Sequence, residues 1–352
     1  MYFGVYSLRI DFHKARYEKN MESKTYSSNG IITFLVRIIS RAPFTFQLCV
    51  CVCVYILVCS QYTQYTASGI DITSEASLLP TECGNISGER IVGGKVADMY
   101  AFPWMALIIH KKRNRFDFGC GGTIINSKYI LTAAHCVDST VEVVAVRVGE
   151  YNIDTNLDCT GFGEYRKCET YEDFAIAKTI IHEEWTTEPV PKNDIALLRV
   201  EGDIDFTHKN VSPICLPIAA ELRNRDLTGA KAEVTGWGIT DEGYSSSKLQ
   251  QVTVSIYGTS TTFIYLNYPI LRDFRRLPVY VEWNVTCAGS FLKDSCSGDS
   301  GGPLQVKSKY GDTHKYVQYG IVSFGPRQCG VNPGVYTDVT KYMDWILNNI
   351  KP

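Results

Sequence analysis

Three short segments of the chain contain residue types that can perform nucleophilic chemistry. The segments are Leu131–Cys136, Asn193–Leu198 and Asp294–Pro303. A serine hydroxyl is a weak nucleophile at neutral pH, and an imidazole with a pKa of about 6.5 can accept its proton. A buried carboxylate holds such an imidazole in the correct tautomer and stabilises the imidazolium that forms. These roles predict Ser300 as the nucleophile, His135 as the base and Asp194 as the residue that orients the base.

The glycines beside Ser300 indicate how a reaction intermediate is stabilised. A tetrahedral oxyanion needs two backbone N–H groups that converge on one point, and a neighbouring side chain would crowd their approach. Gly298 lies two positions before the predicted nucleophile. We therefore predict that the N–H groups of Gly298 and Ser300 form an oxyanion hole.

In this order and with these flanking residues, the three segments resemble those of the chymotrypsin-like serine endopeptidases, also called the trypsin family. The resemblance covers about residues 83–352. It implies an all-β, chymotrypsin-like fold of two perpendicular six-stranded antiparallel β-barrels with the active site between them. His135 and Asp194 would come from the first barrel and Ser300 from the second. It also implies a serine endopeptidase that acts on protein substrates and requires no organic cofactor.

The segment Arg90–Gly94 resembles the activation site of this family. Cleavage after Arg90 would free the α-amino group of Ile91, which would insert and pair with Asp299. An unpartnered buried carboxylate is costly, so such a pair can act as a switch. The uncleaved chain is therefore expected to be a zymogen, activated by an upstream protease or by itself, with serpin-type inhibitors as further partners. The alternative is an ordinary junction between a loop and a strand.

Substrate preference is expected to depend on Asp294, which lies six residues before the predicted nucleophile. In the family, this position forms the base of the primary specificity pocket, and an anion in a narrow, desolvated slot selects Arg or Lys side chains. The resemblance places Ser323, Gly325 and Gly334 at the walls of this pocket. Phe324 stands where the family usually has tryptophan.

The family pattern also implies four disulfide bonds. The pairs are Cys120 with Cys136, Cys296 with Cys329, Cys83 with Cys215, and Cys159 with Cys168. The Cys83–Cys215 pair would keep a cleaved propeptide attached to the catalytic chain. The Cys159–Cys168 pair closes a short loop, which resembles the catalytic part of arthropod clip-domain serine proteases. Residues 1–82 lack the six cysteines of a clip domain.

The remaining cysteines mark two segments that do not resemble the family. Of the 13 cysteines, four lie in the tract 49–59, and the fifth outside the implied pairs is Cys287. The expected partner of Cys287 is missing, because residues 256–286 do not match the family pattern. A mistaken exon boundary is the preferred interpretation of this segment, and genuine divergence is the alternative.

Acidic residues suggest a metal site near the Cys159–Cys168 loop. Glu150 and the segment Glu169–Asp173 can supply carboxylate and backbone oxygens of the kind that calcium prefers. A solvated acidic loop without a metal is the alternative.

Residues 1–82 differ in character from the rest of the chain. The apolar tract 44–59 has the length of a signal-peptide core, but it begins far from the initiator methionine. An uncleaved membrane anchor is the alternative. Disulfides form in oxidising compartments, and three N-glycosylation sequons are present. The sequons begin at Asn85, Asn210 and Asn284. We therefore expect a secreted, extracellular glycoprotein, associated with a membrane only if tract 44–59 is retained.

Length and composition bound these interpretations. The chain has 352 residues, of which 45% are hydrophobic and 20% charged, with a formal net charge of −2. These values are those of an ordinary globular protein and exclude collagen-like, disordered and multi-pass membrane proteins. The balanced charge indicates no nucleic-acid partner. We expect an atypical region at 1–82, a propeptide remnant with the activation site at 83–90, and a protease domain at 91–352.

The elements that must position the reactive residues are mostly short strands. Runs such as Val141–Val148 and Ala232–Thr235 are separated by Gly, Asn and Asp turns, which is typical of an all-β protein. Helical spacing appears only at the end of the chain and predicts one amphipathic C-terminal α-helix. Its apolar residues are Val339, Tyr342, Met343, Ile346, Leu347 and Ile350.

Three functional hypotheses follow from the sequence. The leading one is a secreted zymogen endopeptidase that cleaves after Arg or Lys, in an extracellular cascade such as innate immunity. The second is a catalytically silent protease homologue that acts as a scaffold or cofactor in a cascade. Such homologues generally lose a triad residue, and here all three are present. The third is a membrane-tethered protease.

Overall fold

Short β-strands separated by turns make up most of the chain. The computed structural model describes residues 76–86, 95–112, 115–188, 190–240, 243–258, 284–290, 296, 298–325 and 333–352. All of them belong to one structural unit, Asp71–Pro352. Several predicted features lie outside the described residues. These are tract 44–59, Arg90, Ile91, Asp294 and Cys329.

Six antiparallel strands close the first barrel, in the order β2-β3-β4-β9-β8-β5. The strands are β2 (Met105–Lys112), β3 (Arg115–Ile124), β4 (Tyr129–Thr132), β5 (Glu142–Val148), β8 (Glu172–Ile181) and β9 (Ala196–Val200). Their inward side chains, such as Ile108, Ile130 and Leu198, are fully buried. The predicted strand at Val141–Val148 is confirmed as β5. Closure leaves this sheet without an exposed edge, and it positions the loops that leave β4 and enter β9.

A second barrel follows, with ring order β11-β10-β13-β14-β15-β12 closed by pairing of β11 with β12. Its strands are β10 (Lys231–Gly236), β11 (Gln250–Gly258), β12 (Val285–Gly289), β13 (Pro303–Tyr310), β14 (Thr313–Phe324) and β15 (Gly334–Asp338). In β10, Ala232 and Val234 are buried, whereas Lys231, the first residue of the strand, is exposed. This alternation is typical of a strand that has one face in a barrel core.

The remaining elements are short. Strand β1 (Lys95–Val96) adds to the edge of β11, and β6 (Asp158–Thr160) pairs with β7 (Lys167–Glu169). The helices are α1 (Ala220–Arg223) and α2 (Met343–Asn349), with 3₁₀ turns at Ala134–Cys136, Gly163–Tyr165 and Val339–Lys341. The C-terminal helix is therefore confirmed, with its first turn in 3₁₀ form. All six apolar residues that predicted it are buried.

Side chains of the two barrels bond directly to each other. The indole N–H of Trp104 in the first barrel donates to Oε1 of Gln305 in the second at 2.7 Å. Both residues are buried, and a buried indole N–H requires such a partner. This contact fixes the barrels relative to each other beside the loops that carry the reactive residues. Among the described residues, no helix has the length and apolar character needed to cross a membrane.

Candidate active site

The predicted base and the predicted carboxylate lie together at the first barrel. His135 is in the 3₁₀ turn after β4, and Asp194 lies two residues before β9. The Nδ1 atom of His135 is 2.8 Å from Oδ2 of Asp194, and the backbone N–H of His135 donates to Oδ1 at 2.9 Å. An ionised carboxylate only accepts hydrogen bonds, so the proton is on Nδ1 and Nε2 is left to accept one. This is the tautomer that a base for a serine hydroxyl needs.

The environment of His135 favours its charged form. Burial alone would lower the pKa of His135, but the hydrogen bond to Asp194 and the negative charge of that carboxylate raise it above its usual value. Asp194 itself is 3% exposed. A buried carboxylate that stabilises the imidazolium helps the base to take up a proton during the reaction.

Two residues of the second barrel complete the surroundings of Asp194. The hydroxyl of Ser323, at the end of β14, donates to Oδ2 of Asp194. The hydroxyl of Thr337, in β15, donates to the backbone carbonyl of Asp194 at 2.8 Å. Both hydroxyls are buried. The resemblance implied that Ser323 lies at the specificity pocket, and its hydroxyl is bonded to the carboxylate of Asp194.

The residue before Asp194 has an unusual backbone conformation. Asn193 has φ of 52°, and it is the one residue other than glycine with positive φ in the described chain. Its Nδ2 donates to the carbonyl of Glu184 at 3.0 Å, and its Oδ1 accepts from the Tyr342 hydroxyl at 2.7 Å. Asparagine tolerates this region better than most residues. An asparagine directly before Asp194 could have predicted this positive φ, but the sequence analysis did not include it.

Ser300 lies where the two barrels meet. Its carbonyl accepts the N–H of Gly121 in β3 at 2.7 Å. A Cβ atom at the next residue, Gly301, would be 3.2 Å from Sγ of Cys136, and Nε2 of His135 is 3.6 Å from the same sulfur. The loop of Ser300 and the base therefore contact one disulfide. Within the described residues, no hydrogen bond joins Nε2 of His135 to the Ser300 hydroxyl; such bonds often tighten only with substrate bound.

Some of the backbone N–H groups around Ser300 are bonded within the protein and others are not. The N–H groups of Asp299, Gly301 and Gly302 donate to protein carbonyls at 2.9 to 3.0 Å. Those of Gly298 and Ser300 donate to no acceptor in the described part of the chain. These two are the groups predicted to bind an oxyanion, and donors that are not engaged by the protein can be used by a substrate.

Gly298 has a different reason to be glycine from the one we expected. Its φ is 99°, a conformation that side chains rarely adopt, and a Cβ atom there would be 2.9 Å from Cα of Gly238. The crowding is thus against the backbone of the second barrel, so glycine is required to build the turn.

Comparisons with known proteins agree with this geometry. The family model described as Trypsin matches residues 91–346. Melanization protease 1 of Drosophila melanogaster is 38% identical over 290 residues, which are 79% of this chain and 70% of that protein. CLIP domain-containing serine protease B4 of Anopheles gambiae is 35% identical over 83% of this chain and 80% of that protein. A crystal structure of the Drosophila Grass clip serine protease of the Toll pathway matches with a TM-score of 0.64 and 37% identity, covering 76% of this chain and 74% of that one.

The chain belongs to the trypsin family. It is a trypsin-like serine endopeptidase, and its fold is the chymotrypsin-like double barrel. The family resemblance seen in the sequence, including that to the clip-domain serine proteases, is confirmed.

In this trypsin-family protease, Asp299 is held in a half-buried turn. Its Oδ1 accepts the N–H of Gly238 and its Oδ2 accepts the N–H of Cys296, both at 2.9 Å. Burial of the carboxyl group raises the pKa of Asp299 to about 6, although the two hydrogen bonds act in the opposite direction. A carboxyl group in this state gains strongly from a positive partner.

Two glycines of the predicted specificity pocket face each other. A Cβ atom at Gly325, which follows β14, would be 3.7 Å from Cα of Gly334, the first residue of β15. Phe324, between Ser323 and Gly325, packs against Cys287 and Val335 in a small apolar cluster of the second barrel. The predicted base of this pocket, Asp294, lies outside the described residues.

Three of the four implied disulfides are present in this protease. They are Cys83–Cys215, Cys120–Cys136 and Cys159–Cys168. Cys296 is also disulfide-bonded, and its predicted partner Cys329 lies outside the described residues. Cys120, His135 and Cys136 lie close enough together to hold a metal ion. Both sulfurs are in the disulfide, however, and thiolates are the form that binds metals.

The Glu150 carboxylate of this protease is engaged on both oxygens. Arg147 donates to Oε2 at 3.2 Å, and the N–H of Tyr151 donates to Oε1 at 2.9 Å. Arg147 also donates to both oxygens of Asp173, at 2.7 and 2.9 Å, and its guanidinium lies 3.4 Å from the ring centre of Tyr171. A calcium ion at Glu150 would therefore compete with a guanidinium for the same carboxylate.

One sequon of this protease has a structural role. Asn210 is 6% exposed, and its Nδ2 donates to the carbonyls of Gly149 at 2.9 Å and Thr170 at 3.0 Å. Both of its amide protons are used, so in the folded protein this side chain has none available for a glycan. Asn85 and Asn284 are exposed.

Proposed function

We propose that the protein is a secreted zymogen whose cleaved form hydrolyses protein substrates after Arg or Lys. The observation that carries the proposal is the hydrogen bond of His135, in the base tautomer, to the buried carboxylate of Asp194, beside the unengaged N–H groups of Gly298 and Ser300. One arrangement thus provides a base, a charge that supports it and an anion site.

The reaction follows from these roles. Nε2 of His135 accepts the Ser300 hydroxyl proton while Oγ attacks the scissile carbonyl carbon. The carbonyl oxygen becomes an oxyanion and accepts hydrogen bonds from the N–H groups of Gly298 and Ser300. The imidazolium then gives its proton to the leaving amine, which leaves an acyl-enzyme. Water, deprotonated by the same imidazole, releases the acid product and restores the serine.

Specificity for Arg or Lys is proposed to come from Asp294. The close approach of Gly325 and Gly334 supports a slot with no side chains on two sides, which suits a long cationic chain. The hydroxyl of Ser323 is used by Asp194, so any contact of Ser323 with substrate would be made by its backbone.

Activation is proposed to use Asp299. Cleavage after Arg90 would supply the ammonium of Ile91 as the positive partner that this buried carboxyl group favours. The same loop carries Gly298 and Ser300, so ordering Asp299 would order the oxyanion hole.

The setting is proposed to be an extracellular cascade such as innate immunity. The names of the relatives refer to melanization and the Toll pathway. The disulfides support an oxidising compartment. In such a cascade the partners would be an upstream activating protease, protein substrates and serpin-type inhibitors. Calcium at Glu150 would be an added structural ion and no part of the chemistry.

The test is to cleave the purified protein after Arg90 and to measure hydrolysis of Arg, Lys and aromatic ester substrates. Ser300→Ala removes the nucleophile, and Ser139→Ala, at an exposed serine, is the matched control. We expect Arg and Lys esters to be cleaved by the wild type and by Ser139→Ala only. No difference between Ser300→Ala and the wild type would establish the silent homologue instead. Preference for aromatic esters would overturn the role of Asp294 alone.

A further inference from the structure

Two adjacent cavities lie on the second barrel, and no residue of the active site lines either of them. The first, of about 410 Å³, is lined by residues that include Arg223, Arg225, Tyr319 and Lys341. We call it the α1 cavity. The second, of about 750 Å³, is lined by residues that include Arg225, Lys307, Lys309 and His314. We call it the hairpin cavity, because the last three residues belong to the β13–β14 hairpin. Arg225 lines both, so the cavities adjoin.

Arg223 lines the α1 cavity and forms an ion pair outside it. Nη2 of Arg223 donates to Asp344 at 2.8 Å, at the exposed end of the side chain. Its Nε is buried and has no hydrogen-bond partner. Because Nε is buried, an anion in the cavity would meet the charge of Arg223 and not this N–H.

The guanidinium of Arg225 has a neutral partner. Its Nη1 donates to the buried hydroxyl of Ser308 at 2.9 Å, and that hydroxyl lies 3.4 Å from the Tyr319 hydroxyl. In the described chain, no carboxylate lies within ion-pair distance of Arg225, Lys309 or Lys341. These cations are therefore available to an external anion.

The lining of the two cavities is more cationic than the protein as a whole. It contains five Lys or Arg residues against three Asp or Glu residues, in a chain of net charge −2. Two of these three carboxylates accept hydrogen bonds from neighbouring threonines: Asp226 from Thr228, and Asp338 from Thr340. They are thereby partly satisfied within the protein.

We propose that the α1 cavity and the hairpin cavity together bind an extended polyanion that carries sulfate or phosphate groups. One group lies in the α1 cavity at Arg225 and Lys341, and the planar guanidinium group of Arg225 matches the oxygens of such an anion. The next lies in the hairpin cavity near Lys309. The site is separate from the proposed catalytic function and does not depend on it.

The test measures binding to the full-length, uncleaved protein by isothermal titration calorimetry. The probes are a heparin-derived octasaccharide, a linear polyphosphate of similar length and inorganic sulfate. We expect at least one of the two polyanions to bind more than tenfold more tightly than sulfate, with an affinity that falls as salt rises. Whichever of the two binds more tightly identifies the source of the anionic groups.

Variants locate the site. Arg225→Gln with Lys309→Gln is expected to weaken polyanion binding at least tenfold. The control is Lys178→Gln with Lys209→Gln, which removes the same charge from exposed positions outside the two cavities. Arg225→Lys keeps the charge and loses the planar fork, so we expect an intermediate loss. Near-ultraviolet circular dichroism checks that each variant is folded. Equal effects of the two double variants, or no preference for either polyanion over inorganic sulfate, would overturn the proposal.

Discussion

Replacing Gly298 with alanine separates the oxyanion function from general stability. In the structure, a Cβ atom at this position would be 2.9 Å from Cα of Gly238, a backbone atom that cannot rotate away. The turn must therefore shift, and the N–H of Gly298 moves with it. Loss of one oxyanion donor typically lowers kcat by about 10²–10³, which corresponds to about 3–4 kcal/mol. Substrate binding depends mainly on the specificity pocket, so we expect KM to change by less than about threefold.

Gly311 provides the matched control for this variant. It lies in the turn between β13 and β14 with φ of 59°, and an added Cβ atom would meet nothing within 4 Å. Gly311→Ala therefore carries a positive-φ backbone penalty, roughly 1–2 kcal/mol, without the steric conflict and away from the reactive residues. The assay is steady-state hydrolysis of an Arg ester after cleavage behind Arg90, with cleavage confirmed by N-terminal sequencing. Thermal unfolding of both variants is measured in parallel.

Two results would contradict the role given to the Gly298 N–H, and a third follows from the kinetics. One is a Gly298→Ala enzyme that keeps more than a tenth of the wild-type kcat. The other is a loss of kcat that Gly311→Ala reproduces, because then backbone strain alone would explain it. A loss that appears only in KM would also contradict the assignment, since an oxyanion donor acts in the transition state.

Three further predictions follow from named groups. Because Asp194 raises the pKa of His135, kcat/KM of the cleaved enzyme should rise with pH through a midpoint above 6.5; a midpoint at or below 6.5 would contradict the ion pair. Asn210→Ala should lower the free energy of unfolding by about 1–3 kcal/mol in urea titrations, while Asn85→Ala, at an exposed position, should change it little. Equal effects of the two variants would contradict the buried role of Asn210. Mass spectrometry should find Asn210 unglycosylated. The pKa of Asp299, raised from 3.8 to about 6, means that the uncleaved chain loses a stabilising contribution as pH rises through this range, and the cleaved enzyme should lose less. Parallel pH dependences of unfolding for the two forms would refute the pairing of Asp299 with a new amino terminus.

The sequence predicted features that depend on local pattern or on several motifs together. The C-terminal helix was readable because its apolar spacing is helical and every one of those six side chains is buried. The pairing of His135 with Asp194 was predictable from the chemistry that a serine nucleophile requires. In both cases, one physical requirement restricts the residue type and its position at once.

Other contacts were not predictable, because they join residues far apart in the chain through buried polar groups. Nothing local to Ser323 or Thr337 indicates that each donates to Asp194, more than 100 positions earlier. The sequon at Asn210 is a pattern of three residues, and only the fold shows that its amide is consumed by two carbonyls. Likewise, the acidic residues near Glu150 suggested calcium, and the fold brings Arg147 between Glu150 and Asp173.

The hydrogen bonds that reach Asp194 from Ser323 and Thr337 tie one half of the molecule to the other. If the chain were divided after the first barrel and the halves expressed separately, the first fragment would carry both His135 and Asp194. The carboxylate would keep its bonds to His135 but lose the Ser323 hydroxyl and become more open to water. Mixing the two fragments should therefore restore the raised pKa of His135. This change can be measured without any assay of the nucleophile. The same hydrogen bonds restrict sequence change during evolution, because a substitution that moves β14 or β15 also moves the donors of Asp194 in the first barrel. The two barrels can change independently at their outer surfaces and only together at this junction.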